Sequence, residues 1–240
     1  MPLAVSKNAA SDSKVNFSCR GASVPTYDIS KSFPWRGTLS PRNASVMRMF
    51  GLTIDRLTEN TVTHSCRLKI EAGDIIYITG PSGAGKSVLL RELEKNIPPE
   101  QRINLCDIEL PSDRTLIECL DGDLMPSLKA LSITGLSDVF CILNSPANLS
   151  EGQKYRFRLA CAIQAGRKFI FGDEFCSNLD RISAAVISWN IRRFAKEAGV
   201  TFILASCHDD LLTDLQPDVL VVKQLSGQAE VIYKNSRDQI

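Results

Sequence analysis

The sequence predicts an α/β fold, a mostly parallel β-sheet covered by helices on both faces. Two observations carry this. Short apolar, β-branched runs alternate with longer amphipathic segments from about residue 61 onward. One run, Asp74-Ile-Ile-Tyr-Ile-Thr79, leads through the glycine-rich turn Gly80-Pro-Ser-Gly-Ala-Gly-Lys-Ser87 into Lys86–Lys95, where Leu89 and Leu93 share a helix face.

In chain order, residues 1–13 are rich in Ser, Ala, Asn and Lys and read as a disordered N-terminus. Residues 14–45 read as a basic extension in which Pro25, Pro34 and Pro41 argue against long helices; Lys14–Cys19 suits a short extended piece. Residues 46–240 form the predicted catalytic domain. Thr61–Ile70 is read as a strand closed by a turn at Ala72-Gly73, which suggests an antiparallel β part ahead of the parallel sheet. Residues 99–125 mix short strands and turns, and 127–141 are helical with a break at Gly135. A helix over about 151–166 precedes the strand 168–172, and a helix over about 181–198 ends at Gly199, a C-terminal capping position. Strands at 200–205, 218–223 and 230–233 close the chain.

Composition excludes several classes. The 240 residues suffice for one domain with a substantial core. No apolar run approaches the ~20 residues of a membrane span, and Met1–Lys7 lacks the apolar stretch of a signal peptide. Eight cysteines without a Cys-x-x-Cys pair, with only two histidines, do not make a zinc site; they read as reduced core residues of a cytoplasmic protein. Net charge is +1, yet Lys7, Lys14, Arg20, Lys31, Arg36, Arg42 and Arg48 against Asp12 and Asp28 put +5 on residues 1–50. That dispersed charge is either a solvated extension or an arm for nucleic acid or another anionic partner.

Residues 80–87 satisfy Gly-x4-Gly-Lys-Ser, the P-loop of nucleotide triphosphatases, between a strand and a helix as the motif requires. Backbone N–H groups of Gly80, Pro81-flanked Ser82, Gly83, Ala84, Gly85 and the residues through Val88 would surround the phosphates. Lys86 would reach the outer phosphates, and the Ser87 hydroxyl would ligate Mg²⁺. Phe169-Ile-Phe-Gly-Asp-Glu174 supplies a buried strand with carboxylates at its tip: Asp173 for Mg²⁺ and Glu174 as general base toward water.

With Leu149-Ser-Glu-Gly-Gln153 the chain resembles the ABC ATPases, whose signature commonly reads Leu-Ser-Gly-Gly-Gln; Glu151 departs from it. Ser150 and Gln153 also have the spacing of a helix capping box, which leaves Gly152 unexplained. Ser177-Asn-Leu-Asp180 is similar to the D-loop of that family, and His208, after a strand, to its switch histidine. The resemblance, over roughly residues 46–235, implies a P-loop fold with a trimmed helical subdomain. It also implies an ATP-dependent head-to-tail homodimer hydrolysing ATP–Mg²⁺. Lys86, Ser87, Asp173, Glu174 and His208 of one chain would face Ser150, Gly152 and Gln153 of the other, with Asp180 at the interface.

The chain departs from transporter-type members in the P-loop-to-signature interval, whose only glutamine, Gln101, comes too early to ligate Mg²⁺; Asp107, Glu109, Glu118 and Asp121 lie nearer the expected place, with Glu118 the leading candidate substitute. Val88 stands where many relatives have Thr. Phe50, with Tyr27 or Trp35 as alternatives, is the candidate to stack on adenine. The pairing of Met47–Leu52 with the signature region resembles soluble ABC ATPases linked to acetyltransferase-type domains. The expectation is therefore a soluble ATPase switch. Its rivals are a membrane transporter's energy subunit, a nucleotide-gated module of nucleic-acid repair, modification or defence, and a scaffold that binds ATP without turnover.

Overall fold

The computed structural model describes residues 24–34, 37–59, 61–225 and 227–234. The chain begins with β1 (Thr26–Phe33), α1 (Pro41–Met49), α2 (Ile54–Glu59) and β2 (Val62–Lys69). β3 (Ile75–Thr79) and α3 (Lys86–Lys95) flank the glycine-rich loop, followed by β4 (Arg102–Asn104), α4 (Leu124–Ile133), α5 (Val139–Ile142) and α6 (Glu151–Gln164). The remaining elements are β5 (Phe169–Gly172), α7 (Arg181–Ala198), β6 (Thr201–Ala205), α8 (Leu212–Leu215), β7 (Val219–Val222) and β8 (Glu230–Tyr233).

Six strands form the main sheet in the order β4-β5-β6-β3-β7-β8, parallel except for the antiparallel edge strand β8. β1 and β2 form a separate antiparallel pair. The predicted mixture of a mostly parallel sheet, flanking helices and an antiparallel N-terminal part is thus what the structure shows.

Side-chain alternation explains the layers. Ile75 and Tyr77 of β3, with Phe202 and Leu204 of β6, pack beneath α6 and α7, while Ile76 and Ile78, with Ile203 and Ala205, pack beneath α3 and the β1–β2 hairpin. All five β3 residues are buried, as expected of a central strand covered on both faces. Each such large apolar side chain contributes about 1.5–3 kcal/mol relative to exposure.

The sequence reading missed β1, which lies inside the stretch 14–45 set apart as an extension. Its Thr26–Lys69 through Phe33–Val62 register joins it to β2, and Ile29 enters the core. It also missed α1 and α2. Pro41 does not oppose the first of these but starts it, behind the Ser40 cap that accepts from the Asn43 N–H. Lys14–Cys19 lies outside the described residues. Of the described cysteines, Cys66, Cys141 and Cys176 are buried, whereas Cys106 and Cys207 are exposed and so are not core residues.

Two glycines serve contrasting ends. Gly199 terminates α7 in the left-handed region at φ +66°, with open space where a Cβ would stand. Gly80 ends β3 at φ +141°, and a Cβ there would overlap the Lys223 carbonyl oxygen. Gly199→Ala should therefore lower unfolding free energy by about 1 kcal/mol, from backbone conformation alone. Gly80→Ala should cost about 3 kcal/mol or more, because backbone must move. Urea melts of both variants check this; equal costs would contradict it.

Candidate active site

The parallel register places three strand ends together. Ile78 pairs with Ala205 and Gly172 with Leu204. The chain beyond each strand stays tethered: Ser206 N–H donates to the Ile78 carbonyl at 3.1 Å, Phe175 N–H to Ala205 at 2.8 Å, and Lys223 N–H to Thr79 at 2.8 Å. The glycine-rich loop, the acidic tip after β5 and the segment after β6 consequently open into one cavity. It measures about 500 Å³ and is lined by Ser82, Gly83, Gly85, Lys86, Ser87, Val88, Asp173 and Glu174, along with His64, Ser177, Ala205, Ser206 and Cys207.

Most of the residues read as a phosphate cradle line this cavity. Gly80 and Pro81 do not line the cavity, and Ala84 is fully buried beneath the loop. The Lys86 ammonium donates to the carbonyls of Gly80 at 2.7 Å and Pro81 at 3.0 Å, so it spans the loop from below. α3 begins at Gly85, φ +94°, and directs its N-terminal N–H groups and dipole at the same space. Ser87 and Asp173 face one cavity and offer a hydroxyl and a carboxylate. This small oxygen set suits Mg²⁺, which keeps most of its shell for phosphate and water.

The acidic turn holds an uncommon backbone. Glu174 and Cys176 adopt positive φ of 51° and 58°. The turn is kept by Ser177 N–H on the Glu174 carbonyl at 3.0 Å and by Cys176 N–H on the Tyr155 hydroxyl at 3.3 Å. Strain of this kind, of order 1–3 kcal/mol per residue, persists where the surroundings over-determine it. Here it turns the Glu174 side chain out to the exposed rim while Asp173 stays half-buried.

Other predicted residues lie elsewhere. Ser150, Gly152 and Gln153 start α6 and do not line the cavity. Ser150 and Gln153 form a complete capping box: Gln153 N–H donates to Ser150 Oγ at 3.3 Å, and Ser150 N–H to Gln153 Oε1 at 2.9 Å. Gly152 has a packing reason that its sequence context did not suggest. A Cβ there would stand 3.0 Å from the Asn178 carbonyl oxygen and 3.2 Å from Leu179, so the α6 end and the 177–180 loop abut. Asp180 caps α7, accepting from Ile182 and Ser183 N–H at 3.1 and 2.9 Å. These bonds, Ser183 first, hold its carboxyl below the usual range.

His208 is exposed and outside the cavity lining, although its neighbours Ser206 and Cys207 are in it. Its backbone is fixed, the carbonyl accepting from the Tyr77 hydroxyl at 2.7 Å. Asp209 accepts from Thr79, the residue before the P-loop, and Arg181 bridges to Asp210 and Asp214.

Three expectations fail. Phe50 ends α1 at 74% exposure and does not reach the cavity, because α1 buries no residue against the domain. Tyr27 packs against the core beside β2, away from the cavity. Trp35 lies outside the described residues. Glu118 accepts from the Thr115 N–H and hydroxyl at 3.0 and 2.8 Å, so it serves a local turn.

His64 was overlooked. It continues the inward face of Cys66, Leu68 and Ile70, and a polar member in that alternation was the available signal. Burial, then the nearby Lys223 ammonium, lowers its pKa.

The family model described as "ABC transporter" matches residues 63–119. The "Lipoprotein-releasing system ATP-binding protein LolD 1" of Rhodopseudomonas palustris is 27% identical over 70% of this chain and 92% of its own length. The "Methionine import ATP-binding protein MetN 1" of Paraburkholderia xenovorans is 25% identical over 66% of this chain. The chain spans 56% of that relative. Among solved structures, a dimeric post-hydrolysis state of the ATP-binding cassette MJ0796 bound to ADP and Pi has TM-score 0.62 at 15% identity. It covers 87% of this chain and 97% of that one. The cbiO1 structure from Clostridium perfringens has TM-score 0.56 at 21% identity, covering 69% and 78%. These structures show the fold.

These matches support an ABC ATPase nucleotide-binding domain. Its enzyme class is accordingly ATP hydrolase. The relatives named above are transporter ATP-binding proteins, so the finer resemblance to acetyltransferase-linked ATPases is not what they support. No helix among the described residues is long and apolar enough to cross a membrane.

The Asp180 cap gives a pH prediction for this cassette. A carboxyl whose folded pKa is depressed stabilises the fold above its unfolded value of about 4, and the contribution is lost as pH falls through the folded pKa. Asp180→Asn keeps a capping oxygen without the charge. The urea-midpoint difference between parent and variant should shrink below about pH 4. A difference constant from pH 2 to 7 would contradict the assignment.

Proposed function

We propose that this cassette binds ATP–Mg²⁺ in the cavity above the P-loop and hydrolyses it in a head-to-tail pair, driving a partner by closing and opening. The supporting observation is a division of the predicted site. Lys86, Ser87, Asp173 and Glu174 share one cavity, while Ser150 stands exposed at the α6 N-terminus outside it. A single chain is therefore one half of the site. A second copy turned about a two-fold axis would present its Ser150 hydroxyl and helix N-terminus to the γ-phosphate.

The Lys86 ammonium exchanges its loop carbonyls for β- and γ-phosphate oxygens, and the N–H groups of residues 83–88 take the inner phosphates. Mg²⁺, held by Ser87 and Asp173, supplies charge neutralisation at the phosphates when bound. Glu174, at the rim, orients a water and accepts its proton as the water oxygen bonds to the γ-phosphorus. The bond from that phosphorus to the bridging oxygen breaks, and ADP leaves with the electron pair. His208 would close on the γ-phosphate from the adjoining segment as the pair forms; Asp180, already a helix cap, contributes by shaping the 177–180 loop. Loss of the γ-phosphate removes the oxygens facing the second copy, and the pair opens.

The named relatives favour a membrane transporter as the partner, with the cassette peripheral to the membrane. A free ATPase switch is the second reading. It rests on the cavity lining, which among the described residues includes no glutamine, and on Glu118 being engaged elsewhere. The +5 carried by residues 1–50 leaves nucleic acid as a partner in that case.

Glu174→Gln should keep ATP affinity, lose at least about 100-fold in phosphate release, and shift from monomer to dimer on size-exclusion chromatography with ATP–Mg²⁺. A variant that stays monomeric, beside a parent without turnover, would defeat the proposal. Ser150→Ala should cost about 1 kcal/mol of stability as a lost cap. Its loss of turnover should exceed what that cost explains.

A further inference from the structure

His64 closes the nucleotide cavity from the hairpin side and is only 6% exposed. Two features separate it from an ordinary core residue. Its Nδ1 is buried without a hydrogen-bond partner among the described residues. A buried imidazole nitrogen left unpaired weakens the fold, so its persistence calls for a partner the protein does not itself provide. Its ring also occupies the space a Cβ of Gly85 would take, against the last glycine of the phosphate-facing run. Phe33 meets the ring edge-on, with centroids 5.8 Å apart, and holds it there.

A second feature belongs to the same cavity. Val88, in the first turn of α3, lines it with a hydrocarbon branch that carries no hydrogen-bond donor. In the proposed complex the loop N–H groups and Lys86 serve the central and outer phosphate oxygens.

We propose that His64 is a nucleotide-contacting residue whose Nδ1–H donates to a phosphate oxygen of bound ATP, a donor that Val88, without a hydroxyl, does not supply. This rests on reading the cavity as the ATP site. The residue trades fold stability for ligand affinity: the unpaired nitrogen is a defect in the free protein and a contact in the complex. The ligand chemistry is a polyphosphate oxygen, not the base or the sugar.

The test uses the full chain carrying Glu174→Gln, so that binding is read without turnover. Calorimetric titration with ATP–Mg²⁺ and with inorganic tripolyphosphate–Mg²⁺ is compared for His64, His64→Phe and His64→Asn. Phe keeps an aromatic ring and removes the nitrogen, whereas Asn keeps a donor. The expected result is a loss of about tenfold or more for both ligands in His64→Phe. His64→Asn should stay within about threefold of the parent. The melting temperature of free His64→Phe should equal or exceed that of the parent. Unchanged affinity in His64→Phe overturns the proposal, and so does equal loss in both variants, which would assign the ring a purely packing role. Loss confined to ATP would move the contact to the nucleoside and overturn the phosphate assignment. If His64→Phe fails to fold, His64→Leu replaces it as the donor-less variant, with His64→Gln as its donor-bearing contrast, under the same criteria. Failure of the parent to bind ATP at all counts against the proposed function instead.

Discussion

Parallel pairing of β5, β6 and β3 determines where the P-loop, the acidic tip and the segment after β6 lie. Each strand ends at the same edge of the sheet, and the loops that follow have nowhere to go but the shared crevice above it. Pairing of Ile78 with Ala205 and of Gly172 with Leu204 sets Gly80, Asp173 and Ser206 at comparable height. The missing side chains of the P-loop glycines admit close neighbours, the Lys223 carbonyl at Gly80 and, from the cavity lining, the His64 ring at Gly85. The loop is therefore held by its neighbours as well as shaped by its own backbone, which keeps its donors oriented before a ligand arrives.

The α6 N-terminus shows one set of residues doing two things. Ser150 and Gln153 satisfy each other's backbone N–H groups, which fixes where the helix starts. That start stays exposed, with Gly152 tucked against the 177–180 loop. A mobile helix end would spend ordering entropy on each encounter with a second copy; a capped and buttressed one does not.

Contiguous patterns made much of this legible. The strand–glycine–helix unit, the acidic strand tip, the capping box and the Gly199 terminus are local, and the structure places them at or within a few residues of the positions read. The N-terminal β-strand was missed because Thr26–Phe33 has a weak apolar alternation and is made a strand by β2, a partner some forty residues on. α1 and α2 were missed because neither has a buried face, so hydrophobic periodicity had nothing to report. His64 and Cys207 reach the cavity through strand pairing and loop direction, and no spacing in the chain announces that. Phe50 failed as the adenine candidate for the converse reason: an aromatic in the right interval was placed by α1 on an exposed surface.

The central claim is that one ATP is held by the P-loop of one copy and the Ser150 helix of another. Mixing two inactive variants tests it most directly. Lys86→Ala disables the first half-site and Ser150→Arg the second. Composite sites require that the mixture recover phosphate release that neither variant has alone, because each mixed pair contains one site built from two intact halves. If both variants are inactive alone and mixed pairs form without any recovered turnover, each site is made within a single chain and the account is wrong.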